Sequence, residues 1–147
     1  MRLYLFEAKG EALKELFEIA FEVCNKFAFI KHSQLYYNET FDILVGELKE
    51  SFIYSKEQGV WPGTISAAAA IVYYFKCSER AKDIIVNSSN SLFDWKAPFL
   101  PDDICFFKDE KVWLTTTTHE HIYYIDTEES IEIDKLSRVY GLIYDIK

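Results

Sequence analysis

The sequence predicts an α+β domain: a single mixed or antiparallel sheet with about four helices packed on it. Amphipathic helical stripes and short aromatic or β-branched runs share the chain, separated by turn residues. Half of the 147 residues are hydrophobic and 17% are aromatic, enough to bury a core in one domain spanning 1–147. No internal repeat, linker or low-complexity tract divides the sequence.

The elements follow in chain order. Arg2 to Phe6 fits a first strand or the lead-in to a helix. From Gly10 to Lys26, Leu13, Leu16, Phe17, Ala20, Cys24 and Phe27 recur at three- and four-residue steps, with Glu11, Glu15, Glu18 and Glu22 off that stripe, which predicts a helix. Lys14–Glu18 and Glu22–Lys26 are spaced as helix-neighbour ion pairs. Phe27 to His32 is a short strand candidate. Asn38 or Thr40 caps a second helix with Phe41, Leu44, Val45, Leu48 and Phe52 as its stripe. Gly59 is expected at its end, and Trp61-Pro62-Gly63-Thr64 reads as a turn.

Ala67 to Cys77 mixes helix-favouring alanines with strand-favouring Ile71, Val72, Tyr73, Tyr74 and Phe75, and its second half reads as a buried central strand. Ser78 caps a short helix whose inner face is Ala81, Ile84 and Ile85. Ile104 to Lys108 and Val112 to Thr117 form a hairpin around Asp109-Glu110. His121 to Asp126 is another strand. Thr127 caps a helix carrying Ile133, Leu136 and Val139 or Tyr140, Gly141 ends it, and Leu142 to Ile146 is a last strand.

The formal charge is −8 and the pI about 4.9. Such a surface repels phosphate backbones, which argues against nucleic acid, and steers basic partners inward. Cys24, Cys77 and Cys105 are odd in number, lack CxxC spacing and sit in apolar runs, the pattern of reduced thiols in a cytosolic protein. No signal peptide is expected. The longest unbroken apolar run, Ala67 to Phe75, is too short to span a bilayer, so no membrane partner is expected either.

The segments VWPGT, AAIVYYFKC, SLFDWKAPFLPDDICFF and VWLTTTTHE, between about Trp61 and Glu120, together resemble an uncharacterised family of small proteins from Bacillus and related bacteria. That family repeats a WPGT turn, a tyrosine-rich strand, LPEDLCF and WL…HE. Some of its members are labelled stage III sporulation protein AH. Asp102-Asp103 stands here for the family's Glu-Asp, and Ile104 for its Leu. The resemblance supplies no catalytic residue to carry over.

Four readings compete for the acidic, aromatic stretch from Ser91 to Phe107 and for His119-Glu120-His121. On an extended strand His119 and His121 would share a face about 6–7 Å apart and could hold a metal with Asp102, Asp103 or His32. His119 paired with Asp102 or Asp103 could move protons, with Glu120 beside it and Cys105 as a nucleophile, the set a small hydrolase would need. Structurally, Asp102 or Asp103 could instead accept backbone N–H groups and fix strand register. Finally, Thr115 to Thr118 reads as a polar edge strand, and Trp61, Trp95, Phe99 and Trp113 as aromatic anchors for another protein. The expectation that follows is a non-enzymatic binding module without a cofactor. An immunity- or antitoxin-type protein neutralising a basic toxin is the alternative within binding. A hydrolase or metalloprotein at the His119 cluster is the alternative outside it, and a sporulation-linked assembly protein is a third.

Overall fold

The computed structural model describes residues 1–147, the side chain of Ala67 apart. Its backbone forms one eight-stranded antiparallel sheet and four α-helices, an α+β architecture. In chain order these are β1 (Arg2–Leu5), α1 (Glu11–Val23), β2 (Lys26–His32), α2 (Glu39–Glu47), β3 (Phe52–Trp61), β4 (Thr64–Lys76), α3 (Glu79–Val86), β5 (Asp102–Lys108), β6 (Lys111–Thr117), β7 (Ile122–Asp126), α4 (Ser130–Ser137) and β8 (Tyr144–Ile146). Across the sheet the order is β3-β4-β2-β5-β6-β7-β1-β8. Among the described residues no helix is long and apolar enough to cross a membrane.

The central strands are buried on both faces, and their side chains alternate between two cores as the pleat requires. On one face Phe27 and Phe29 of β2, Phe75 of β4 and Phe106 of β5 meet Leu13, Leu16, Phe17 and Phe21 of α1. Phe41 and Leu44 of α2, Ile85 of α3 and Leu136 of α4 complete this core. The rings interlock: Phe27 stacks on Phe75 with centroids 5.1 Å apart, and Phe21 meets Phe106 edge-on at 5.1 Å. The opposite face holds a smaller core of Ala28, Ile30, Ala70, Val72, Tyr74, Cys105 and Phe107, closed by Trp61.

That second core exists because the β3–β4 hairpin is long. Its tip, at Pro62-Gly63, curls over β2 and β5 to reach β6, where Thr117 Oγ1 donates to the Gly63 carbonyl at 3.5 Å. Gly63 has φ +82°, and a Cβ there would lie 2.6 Å from Thr117 Oγ1 and 2.8 Å from Thr115 Cγ2. The turn therefore needs glycine both for its left-handed backbone and for the closeness of the threonines.

Three expectations change. The second helix does not run towards Gly59: it stops at Glu47, a 3₁₀ turn covers Lys49–Ser51, and Phe52–Trp61 is the edge strand β3. Gly59 lies where the β3–β4 register shifts, between Gln58 and Val60, a bulge rather than a helix end. The four threonines are not an edge. β6 lies between β5 and β7; Thr115, Thr116 and Thr118 are buried, and Thr116 Oγ1 donates to the Ile104 carbonyl at 2.7 Å. The α1 ion pairs also differ, since Lys14 pairs with Glu11 at 3.8 Å and Glu22 pairs with Lys135 of α4. The alanines of β4 are strand throughout; Ala28 and Ala70 are the small members of the core that takes the Trp61 indole.

Candidate functional site

Two features stand out, a polar corner inside the fold and a groove on its surface. The corner begins at Asp102 and Asp103, which open β5 after Pro101. Asp103 has φ 53°, a left-handed conformation that aspartate tolerates better than most residues. Both side chains are buried, Asp102 completely.

Asp102 joins three segments. Its Oδ1 accepts from the Tyr37 hydroxyl at 2.6 Å and from the Ala97 amide at 2.9 Å; its Oδ2 pairs with His119 Nε2 at 2.7 Å. The Tyr37 hydroxyl also accepts from the His32 amide at 3.0 Å. Asp103 joins two more. Its Oδ1 accepts from the Thr118 amide at 2.9 Å and its Oδ2 from Trp61 Nε1 at 3.3 Å. Burial raises the Asp103 carboxyl above the ordinary carboxylate range, opposed by the hydrogen bonds from Thr118 and Trp61 and reinforced by neighbouring Asp102. Burial and the bond to Asp102 likewise raise the Tyr37 hydroxyl.

The segments WPGT, LPDDICFF and WLTTTTHE thus meet at one point. Trp61 and Gly63 come from the first, Asp102 and Asp103 from the second, Thr115 to His119 from the third. Tyr37 was not foreseen from sequence; His32, expected only as a possible metal ligand, lies with its ring 5.4 Å from that of Trp61 and gives its backbone amide to the Tyr37 hydroxyl. His32 ends β2 and Tyr37 lies in the β2–α2 connection, and no local spacing links either to residue 102.

The histidines do not form the expected extended pair. Residues Thr118–Glu120 make a 3₁₀ turn and His121 is left-handed, with φ 55°. His119 reaches Asp102, whereas His121 stacks on Phe93 with centroids 4.1 Å apart. Among the described residues no group of three His, Cys, Asp or Glu side chains is arranged to hold a metal ion. Glu120 is exposed. Cys105 is buried, its Sγ placed 3.7 Å from the Ala28 carbonyl, and burial pushes its thiol well above the ordinary range, so it stands as an un-ionised core residue.

The four aromatic candidates separate. Trp61 and Trp95 are buried, Trp95 donating its Nε1–H to Ser89 Oγ at 2.9 Å within a cluster with Phe17 and Phe29. Trp113 is also buried and donates to the buried Glu132 at 2.8 Å. These three are core residues because each indole N–H finds an internal acceptor, which removes the usual reason for an indole to stay at the surface. Only Phe99 is exposed, at 63%.

Phe99 stands at one end of a surface groove. Its main part, about 650 Å³, lies between α2 and α3, lined by Ile43, Leu44, Glu47, Arg80 and Ile84 among others. A smaller hollow of about 350 Å³ continues it past Leu100 to Pro98 and Phe99; Thr40, Ser88 and Leu100 line both parts. The far wall is tied to α2: the Asn38 amide donates to the Pro98 carbonyl at 2.9 Å, and Thr40 Oγ1 donates to that of Phe99. The Ala97–Pro98 peptide is cis. Ile43 is 56% exposed. His119, Asp102 and Asp103 line neither part of the groove.

No family model matches the chain, and no curated protein or solved structure matches it.

Proposed function

We propose that the protein acts by non-enzymatic contact with another protein, and that the groove between α2 and α3, running to Phe99, is the contact surface. The observation that carries this reading is the pair of exposed apolar side chains, Ile43 and Phe99, at a concave site whose floor is Leu44, Ile84 and Leu100. An exposed aromatic beside a hollow is the arrangement of an interface anchor. The corner supports the same division of labour, since both Asp102 oxygens and both Asp103 oxygens are already engaged within the chain.

The test is site-specific photo-crosslinking in extract of the cells that make the protein. A photoreactive residue at position 99 or 43 is expected to give one discrete adduct, competed by unlabelled wild-type protein but not by Phe99→Ser. A residue at Glu15, on the outer face of α1, is expected to give none. Equal labelling from position 15, or competition by Phe99→Ser, contradicts the reading.

Proton transfer by His119 is the second reading. It rests on the 2.7 Å pairing with Asp102 and on the half-exposed imidazole. Against it stand the buried, un-ionised Cys105 and the lack of a converging nucleophile in the hydrogen bonds around the pair.

A further inference from the structure

We infer that His119 is a proton-sensing input to the groove: through Asp102, the charge on its imidazole sets how firmly the two walls are held together at the Phe99 end. The coupling is a property of the free chain; its use in controlling a partner rests on the contact reading above. One carboxyl oxygen fastens both walls. Asp102 Oδ1 accepts from the Tyr37 hydroxyl at 2.6 Å and from the Ala97 amide at 2.9 Å. Tyr37 is followed by Asn38, the cap of α2, whose side chain accepts from the Thr40 amide. Ala97 is followed by Pro98, Phe99 and Leu100, which form the opposite wall. The walls meet again where the Asn38 amide donates to the Pro98 carbonyl at 2.9 Å and Thr40 Oγ1 donates to that of Phe99. A change at Asp102 therefore reaches both walls at their root.

His119 is where a solvent proton enters this network. Its side chain is 52% exposed, whereas that of Asp102 is fully buried. Three donors point at the Asp102 carboxyl, so Asp102 accepts and His119 Nε2 carries the hydrogen of the 2.7 Å pair. Imidazole is the side chain whose charge ordinarily changes near neutrality, and here Nδ1 is the nitrogen left to gain the proton. That gain turns a neutral donor into a charged one, and a charge-assisted bond is roughly twice as strong as a neutral one. Asp102 is then held more firmly, and with it Tyr37 and Ala97. Other charges act on the same imidazole. Asp103, bonded to the Thr118 amide, favours the imidazolium when ionised, as does exposed Glu120 on the same turn. His121 and Lys96, which both lie on the Phe93 ring, oppose it. His32 gives its amide to Tyr37, but its ring faces Trp61.

The test is NMR of the free, intact protein from about pH 5.5 to about pH 8.5, across the ordinary range of imidazole titration. The His119 ring signals give its midpoint, and the Thr40 and Phe99 amide shifts are expected to move with that midpoint. Hydrogen-exchange protection of the Asn38 amide reports its bond to Pro98 and is expected to be about five-fold higher on the acid side. His119→Gln keeps a hydrogen-bond donor that cannot titrate, and is expected to abolish both responses. His121→Gln and His32→Gln are expected to leave both in place. A His119 that does not titrate in this range overturns the inference, as do groove amides that follow His32 or His121, or a response that survives in His119→Gln. A shift confined to Ala97, with Asn38 protection unchanged, is the direct field of the imidazolium and also overturns it. Should His119→Gln fail to fold, the wild-type midpoints and the Asn38 protection still decide. No partner enters the measurement, so failure of the crosslinking test leaves this coupling standing, and failure here leaves the contact reading standing.

Discussion

Trp61 and Asp103, forty-two residues apart, meet through a hydrogen bond of 3.3 Å from the indole Nε1–H to the carboxyl Oδ2. That bond fastens the tip of the β3–β4 hairpin to the start of β5, and so holds the lid of the second core against the sheet. Trp61→Phe keeps most of the apolar volume but leaves the buried Asp103 Oδ2 without its donor. The expected cost is about 1–3 kcal/mol. Urea unfolding with an unchanged m-value checks it, and a loss under about 0.5 kcal/mol would show that the bond contributes nothing.

Gly63→Ala is expected to destabilise by more than the roughly 1 kcal/mol of a left-handed alanine, because the new Cβ meets Thr117 Oγ1 at 2.6 Å. Adding Thr117→Ala and Thr115→Ser removes that collision but not the backbone cost. A double-mutant cycle therefore predicts partial rescue. Full additivity would place the hairpin tip away from β6.

Two buried carboxyls predict opposite responses to pH. Burial raises Asp103 above its ordinary value of 3.8, so the folded protein holds that proton longer than the unfolded chain does, and its contribution to stability falls as pH rises from 3.8 through the folded value. For Glu132 burial acts upward, but hydrogen bonds from Lys108, Thr127 and Trp113 outweigh it and hold the carboxyl below its ordinary 4.5. Its contribution is present above 4.5 and lost as pH falls through the lowered value. Relative to wild type, Asp103→Asn should lose less stability as pH rises across the carboxylate range, and Glu132→Gln should lose more. Urea midpoints measured at several pH values check both signs.

The thiols predict chemical silence. Cys24 and Cys105 are buried, Cys77 is half-buried, and burial pushes Cys77 up to about 12 and the other two further. A thiol reagent at neutral pH should label the native protein slowly, at Cys77 first, and all three only on unfolding. Rapid labelling of Cys105 would restore it as a nucleophile.

Local chemistry made much of this legible. Ser78 caps α3 by accepting from the Ala81 amide at 3.1 Å, and Asn38 caps α2 from the Thr40 amide at 3.0 Å, both where the cap residues sit in sequence. The Pro-Asp-Asp corner was readable because buried aspartates after a proline need donors, and the nearest turn amides supply them. What local pattern could not show was the curl of the hairpin. The stripe from Phe41 to Leu48 is helical, but Phe52 continues its spacing by coincidence, and only the pairing of β3 with β4 makes Phe52–Trp61 a strand. Threonines look solvated by composition; here the same curl buries Thr115 under Gly63. Three tryptophans read as anchors are core residues because their acceptors, Asp103, Ser89 and Glu132, lie at sequence distances that no periodicity reports.

The central claim is that Asp102 is scaffolding, the hub through which Tyr37, Ala97 and His119 hold the corner shut. Urea unfolding of Asp102→Ala tests it most directly. The account predicts a loss of about 3–5 kcal/mol with the m-value unchanged, and a smaller loss for Asp102→Asn, whose remaining oxygen can still accept from Tyr37 and Ala97. An Asp102→Ala protein as stable as wild type would contradict it.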